Sequence, residues 1–190
     1  MQIEKIEFGR FYHIFNRGNN SQDIFFEEEN YRYFLKLLAK YIIPISEIYC
    51  YCLLRNHFHL LIRIKDAEDL VFSDFQFSTV ETPKSFDPSR QFSHFFNAYT
   101  LAINKRYRRS GSLFEKPFER KMVEDDNYLK QLILYIHNNP KHHGLVENIE
   151  DYKWSSYPTM LSESPTKIQR GKVLAYFDDR ENFALCHKNY

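Results

Sequence analysis

Two neighbouring stretches of alternating side chains, residues 47–54 and 57–65, constrain the fold of this chain more than any other feature of its sequence. Successive side chains of a β-strand point to opposite faces. His57 and His59 would therefore share one face, while Phe58 and the aliphatic residues that alternate after it would form an apolar face. The two residues between the stretches suffice for a tight turn. The pattern predicts a β-hairpin that buries one face and presents two imidazoles on the other.

The segments around this hairpin extend it to a β-α-β-β-α-β-α order. Apolar residues recur every three or four positions in the helical segments, whereas the strand segments are short and rich in aromatic and β-branched residues. Two β-α-β halves joined by a hairpin favour an α+β fold, a ferredoxin-like antiparallel sheet with helices packed on one face. The predicted strands are residues 11–15, 47–54, 57–65 and 118–123, and the predicted helices are 28–41, 92–103 and 125–138, with Pro140 as the stop of the last helix.

The length of 190 residues and the hydrophobic content of 43% are typical of one packed domain. We predict a single domain over residues 1–190, with a core at about 11–157 and a tail at 158–190 that shows no strong pattern. Residues 66–89 are predicted to be a loop, because Pro, Ser, Thr and Asp interrupt any periodicity there.

Membrane insertion and secretion are not expected for this chain. No apolar run approaches the ~18 residues of a membrane span, and residues 1–10 contain no apolar signal region. The three cysteines, Cys50, Cys52 and Cys186, do not make a disulfide framework, which indicates a cytoplasmic location. The formal net charge of +1 indicates no partner, so any basic surface must be local.

The histidine pair is a candidate metal site. His57 and His59 would lie one pleat repeat apart, close enough to bind one ion. The alternative is two half-exposed strand histidines with ordinary hydrogen bonds, because His-x-His alone is a weak signal. If the turn has two residues, Cys52 lies opposite His59 and could complete a zinc site, with or without Cys50. Free cysteines among apolar neighbours are more often small buried hydrophobes, so zinc is the second choice.

The helix at 125–138 contains a candidate nucleophile. Asn139 follows Tyr135 by four residues, so both side chains can point to the same spot. This arrangement suits a tyrosine hydroxyl beside a metal ion that the Asn carbonyl oxygen helps to hold. The chain has 14 tyrosines, and an ordinary aromatic role is the default for any one of them. The spacing alone therefore does not assign Tyr135.

A basic segment at residues 101–121 could bind nucleic acid. It has seven Lys or Arg against two Glu, with aromatic residues interleaved. Cations reach phosphates, and aromatic rings stack on unpaired bases. Taken by itself, this stretch could equally be a solvated helix end and turn with no nucleic-acid role. The candidate DNA contacts are Arg17, Lys105, Arg106, Arg108, Arg109, Lys116, Arg120 and Lys121.

Five motifs in order resemble one family. They are FYHIFNRGNNSQDIFF, YCLLRNHFHLLI, RRSGSLFEKPFERK, YIHNNPKHHGLV and WSSY, between about residues 11 and 157. The chain resembles the IS200-like single-tyrosine (Y1) transposases of the HUH superfamily, especially the REP-associated tyrosine transposases. Each motif is weak alone, but five in order are hard to obtain by chance.

The resemblance implies a catalytic tyrosine helix packed over the His-x-His strand. It implies Tyr135 as the nucleophile of a 5′-phosphotyrosine intermediate, and His57, His59 and Asn139 as ligands of Mg²⁺ or Mn²⁺, with Zn²⁺ less favoured. The implied substrate is single-stranded DNA with a hairpin, and the implied assembly is a monomer or a homodimer. The sequence Lys141-His142-His143 after the Asn-Pro pair departs from the family pattern.

Three other functions compete with this one. A replication initiator or relaxase-like nickase would use the same chemistry, but it is disfavoured because the chain is short and shows no helicase or second domain. A non-catalytic nucleic-acid-binding module would need aromatic residues on the sheet face where this chain has His57 and His59. A zinc-dependent hydrolase or structural zinc protein would use Cys52.

Overall fold

Four strands of the computed structural model, which describes residues 4–71 and 86–190, form one antiparallel sheet. Its order is β2-β3-β1-β4, the order of a ferredoxin-like fold, and the predicted α+β class is confirmed. The strands are β1 (Phe11–Arg17), β2 (Ser46–Leu54), β3 (His57–Ile64) and β4 (Glu119–Val123). The helices are α1 (Glu28–Tyr41), α2 (Pro88–Arg106), α3 (Asp126–His142), α4 (Tyr157–Leu161), α5 (Arg170–Ala175) and α6 (Arg180–Lys188).

Helices α1 and α2 cover the face of the sheet that the alternation in β3 marks as apolar. The ring of Phe34 in α1 lies 5.0 Å from that of Phe58 in β3 and 4.7 Å from that of Phe95 in α2. All three side chains are fully buried. The even residues of β3 thus form the core face, as predicted.

Helix α3 covers the opposite face, which has the histidine pair, as the resemblance implied for the tyrosine helix. The expectation from the order of elements alone, with helices on one face only, was wrong. Leu132 and Ile133 of α3 belong to a second buried cluster together with Leu61 of β3 and with Cys50 and Cys52 of β2. The histidine face is therefore polar at one end and apolar at the other. Helix α3 packs against the apolar part, and this packing fixes the position of α3 relative to the histidine pair.

Pro140 does not end α3, which continues to His142. A proline lacks the N–H that would bond to the carbonyl four residues earlier, but helices can tolerate this loss. Pro140 is buried, and its own carbonyl accepts a hydrogen bond from the Leu145 N–H at 2.9 Å. Gly144 follows with φ of +65°, the conformation that often terminates a helix.

The tail predicted to be without a pattern contains α4, α5 and α6. Phe183 and Val173 are fully buried, and they pack in the cluster that also holds α3. Of the predicted loop, residues 72–85 lie outside the described part of the chain. Helix α2 begins at Pro88, earlier than predicted, because the Asp87 side chain caps it by accepting a hydrogen bond from the Ser89 N–H.

Both clusters pack against the same sheet. The single domain over 1–190 stays a prediction. Within residues 4–71 and 86–190, no helix has the length and apolar character needed to cross a membrane.

Candidate active site

His57 and His59 lie at the start of β3 on the face that α3 covers, as the alternation predicted. Their ring centroids are 5.3 Å apart and the ring planes are nearly perpendicular. His59 is almost fully buried, whereas His57 is half-buried. Both rings line one cavity of about 500 Å³, together with Arg17, Lys116 and Tyr135.

The Nδ1 atom of each histidine has a protein partner. His57 Nδ1 lies 2.7 Å from Asn56 Oδ1, and His59 Nδ1 lies 2.9 Å from His13 Nε2. Metal-ligating histidines typically engage one nitrogen in such a contact and bind the ion through the other. The Nε2 atoms of His57 and His59 are therefore the candidates for binding an ion.

Burial keeps both imidazoles neutral at physiological pH. It lowers the pKa of His57 to about 4, and neighbouring His143 and Arg17 lower it further. It lowers the pKa of His59 to about 2, with His13 and His57 as further causes. Neutral imidazole is the form that coordinates a metal ion, so the environment of this pair favours ligation.

Asn139 is the predicted source of an oxygen ligand beside the histidine pair. Its Nδ2 donates to the Tyr135 carbonyl at 3.0 Å, so Oδ1 remains as the acceptor atom. The Asn139 side chain is among the groups that raise the pKa of His57, which places it near the His57 ring. Two imidazoles and an amide oxygen are a chemically suitable donor set for a divalent ion that retains open positions.

Acidic and sulfur side chains do not complete a three-ligand set in the part of the chain that the structure describes. Among the described residues, no group of three or more His, Cys, Asp or Glu side chains is placed to hold a metal ion. The paired strands put Cys52 directly opposite His59, as expected from a two-residue turn. Cys52 is fully buried, and burial raises the pKa of its thiol, which opposes the thiolate that zinc binding requires. Cys52 thus behaves as a small core residue.

Tyr135 stands at the mouth of the same cavity. Its ring centroid lies 5.5 Å from that of His59, and its side chain is 37% exposed. Helix α3 places it there because Leu132 and Ile136 face the apolar end of the sheet. The structure therefore brings the predicted nucleophile and the two predicted histidine ligands together at one cavity, with the buried Asn139 one helical turn from Tyr135.

The predicted DNA-binding residues divide between this cavity and more distant surfaces. Arg17, opposite His57 on β1, and Lys116 both line the cavity. Lys121 lies opposite His13 on the same face, with its ammonium 4.8 Å from the ring of Tyr128 in α3. Arg17 and Lys116 thus lie at the cavity, and Lys121 lies on the same sheet face opposite His13.

The other five cations lie away from the cavity. Arg120 is on the opposite sheet face, 3.9 Å from the ring of Phe118. Arg106 forms an ion pair with Glu27 at 2.6 Å, and Arg109 donates to Gln22 Oε1 at 2.9 Å. The exposed Lys105 and Arg108 lie with them at the C-terminal end of α2.

Sequence reasoning missed His13 and His143. His13 is buried against His59, and the ring of His143 lies 4.9 Å from that of His57. Histidine is a residue type that suggests a functional site, but placing His13 beside His59 required the register between β1 and β3. Locating His143 required the knowledge that α3 continues past Pro140.

Comparison with known proteins gives two likenesses. The chain is 31% identical over 111 residues to a Haemophilus influenzae protein provisionally described as a REP-associated tyrosine transposase. That match covers 56% of this chain and 56% of the relative, so the aligned part spans only about half of that protein. No family model matches the chain.

The second likeness is structural. A solved REP-associated tyrosine transposase bound to a REP hairpin matches with a TM-score of 0.59. The match covers 87% of each chain at 16% sequence identity, which supports the shared fold. The two findings confirm the resemblance that the ordered motifs predicted.

Proposed function

We propose that this chain is a REP-associated tyrosine transposase of the single-tyrosine HUH type, which cuts and rejoins single-stranded DNA near a hairpin. The observation that carries the proposal is the position of Tyr135, 5.5 Å from His59 by ring centroids and in one cavity with His57. The likeness to a transposase solved with a REP hairpin supports the DNA substrate.

The reaction we propose is a transesterification. The Tyr135 hydroxyl oxygen attacks the phosphorus, the bond from phosphorus to the 3′ oxygen breaks, and a 5′-phosphotyrosine forms. The tyrosine proton is lost to a base, and the leaving 3′ oxygen gains a proton. Attack by a 3′ hydroxyl on the phosphotyrosine reverses these steps and rejoins the strand. A bound Mg²⁺ or Mn²⁺ would polarise the phosphate and offset its developing charge.

The chain's own residues have separate tasks in this scheme. His57, His59 and Asn139 would hold the ion, since their donor atoms fit it. Arg17 and Lys116 line the cavity and would bind the phosphates on either side of the scissile one. Tyr135 lies 5.5 Å by ring centroids from His59 of the same chain, so we propose that the tyrosine acts beside its own histidine pair, whether the protein is a monomer or a homodimer.

Covalent capture of DNA tests the proposal. The protein is incubated with labelled hairpin-bearing single-stranded DNA and Mn²⁺, and an adduct is sought on a denaturing gel. We expect an adduct with the unaltered protein, none with Tyr135→Phe and none after chelation. Tyr33→Phe is the matched control, because Tyr33 is also 37% exposed but lies on α1, on the other side of the sheet.

An adduct that persists in Tyr135→Phe would contradict the assignment of the nucleophile. A protein that forms no adduct but binds zinc stoichiometrically would support the zinc-protein alternative instead.

A further inference from the structure

His13 contacts the proposed ligand His59 from the neighbouring strand. The register of β1 and β3 pairs Phe15 with His59 and Leu61 with His13, so His13 is a diagonal neighbour of His59 on the same face. His13 Nε2 lies 2.9 Å from His59 Nδ1, and the two rings are stacked at 5.1 Å with 29° between their planes. Both side chains are buried, with 7% and 6% of their surface exposed.

This contact determines which nitrogen of His59 can bind an ion. A neutral imidazole has one N–H and one nitrogen with a free lone pair. If His13 Nε2 accepts the hydrogen bond, His59 bears its proton on Nδ1 and leaves the lone pair on Nε2. If His13 donated instead, His59 would bear its proton on Nε2 and could not bind an ion there.

We infer that His13 is a positioning residue that accepts a hydrogen bond from His59 Nδ1 and so holds His59 in the tautomer whose Nε2 binds the metal ion. The inference rests on the proposed metal-assisted function. His13 is not one of the three proposed ligands.

The surroundings of His13 suit this task. Its strand β1 is central, paired with β3 on one side and β4 on the other, so its backbone is held from both directions. The ring of Phe15 lies 4.6 Å from the His13 ring and limits its rotation. Because His13 is held in place, its contact also fixes the orientation of the His59 ring.

Mn²⁺ binding by the full chain, measured calorimetrically without DNA, tests the inference. We expect His13→Ala to weaken Mn²⁺ binding by about 10- to 100-fold, the usual effect of losing such a partner. His13→Gln is the matched control, because its Oε1 can replace Nε2 as the acceptor, and we expect it to stay within about threefold of the unaltered protein. Thermal unfolding of both variants shows whether each is folded.

The tautomer itself can be read without a metal. In ¹⁵N-labelled unaltered protein, long-range ¹H–¹⁵N correlation should show His59 with its proton on Nδ1, and the same in His13→Gln. A proton on Nε2 of His59 in the unaltered protein would overturn the inference, even if His13→Ala fails to fold. Unchanged Mn²⁺ affinity in a folded His13→Ala would also overturn it. Absence of Mn²⁺ binding by the unaltered protein would instead count against the proposed metal-assisted function.

Discussion

At the scale of single residues, the surroundings of a side chain decide its predicted role, because residues of the same type occur both inside and outside the candidate site. Tyr135 and Tyr33 have the same exposure, yet only Tyr135 stands beside an imidazole pair. Asn138 and Asn139 offer an even closer comparison. Both are 1% exposed, and each donates to the carbonyl four residues earlier at 3.0 Å, but they project from different sides of α3.

This pair of asparagines separates a ligand role from a structural role. We predict that Asn139→Ala weakens Mn²⁺ binding by about 10-fold or more, because an oxygen ligand is lost. Asn138→Ala should leave Mn²⁺ affinity unchanged. Each substitution removes one hydrogen bond to the helix, so we expect similar losses of about 1 kcal/mol in the free energy of unfolding. Equal Mn²⁺ affinities in the two variants would remove Asn139 from the site.

At the scale of elements, contacts of the turn that follows β1 link the basic residues after α2 to the edge of the sheet that has the candidate site. Arg109 contacts Gln22 of the turn that follows β1, and Gly18 in that turn donates to the Asn56 carbonyl at 2.8 Å, next to His57. A strand of DNA that passes this turn would approach the cavity from α2.

For this path we predict a change in the salt dependence of DNA binding. Arg108→Ala combined with Arg109→Ala should weaken binding and reduce the slope of log affinity against log salt by about 1.4, since each phosphate contact to single strands contributes about 0.7. Binding of hairpin DNA would be measured by fluorescence anisotropy between low and moderate salt.

The matched control removes two cations from elsewhere. Lys153→Ala combined with Lys172→Ala changes the net charge equally, but these lysines pair with Glu28 and Glu47. We expect the slope to stay as in the unaltered protein. Similar slopes for the two double variants would exclude the end of α2 from the DNA path.

At the scale of the whole molecule, a buried network ties the C-terminal helix to the helix of the candidate nucleophile. His187 Nδ1 donates to the Phe183 carbonyl at 2.7 Å, and His187 Nε2 lies 2.9 Å from His137 Nδ1. His137 Nε2 in turn lies 2.8 Å from Ser156 Oγ, which accepts from the Tyr51 N–H. Helix α6, helix α3 and strand β2 thus share one chain of hydrogen bonds.

This network predicts loss of stability in mild acid. Burial lowers the pKa of His187 to about 4, below the ~6.5 of an unfolded histidine. The unfolded state therefore binds more protons, so the stabilisation is fully present above pH 6.5 and is lost as the pH falls towards 4. Between pH 7.5 and 5.0, His187 alone should cost about 2 kcal/mol of unfolding free energy.

Urea unfolding at these two pH values checks the prediction. The variant His187→Gln does not titrate, so its stability should fall by about 2 kcal/mol less than that of the unaltered protein. An identical fall in both proteins would show that His187 does not contribute. Other buried histidines, including His13, act in the same direction and remain in both proteins.

Local rules of the chain were sufficient for the sheet and the histidine pair. Alternation fixed which face of β3 has His57 and His59, because the side-chain period of a strand leaves no choice. The same rule, with a two-residue turn, placed Cys52 opposite His59. The spacing of Tyr135 and Asn139 on one helix is equally local.

Errors arose where distant packing overrides a local signal. Pro140 is a helix stop by local rules, but it is itself buried, and α3 continues for two residues beyond it. The residues of α6 have weak periodicity, yet Phe183 is fully buried against the rest of the molecule.

By itself, the sequence determined the order of elements, the face of the histidine pair and the resemblance to a transposase family, since these depend on spacing along the chain. Only the tertiary structure decided that α3 continues past Pro140, that His13 contacts His59 and that Arg120 lies on the opposite side from the site. Contacts between residues 46 positions apart, such as the one between His13 and His59, depend on strand register and on the packing of both sheet faces. No local pattern encodes either of these.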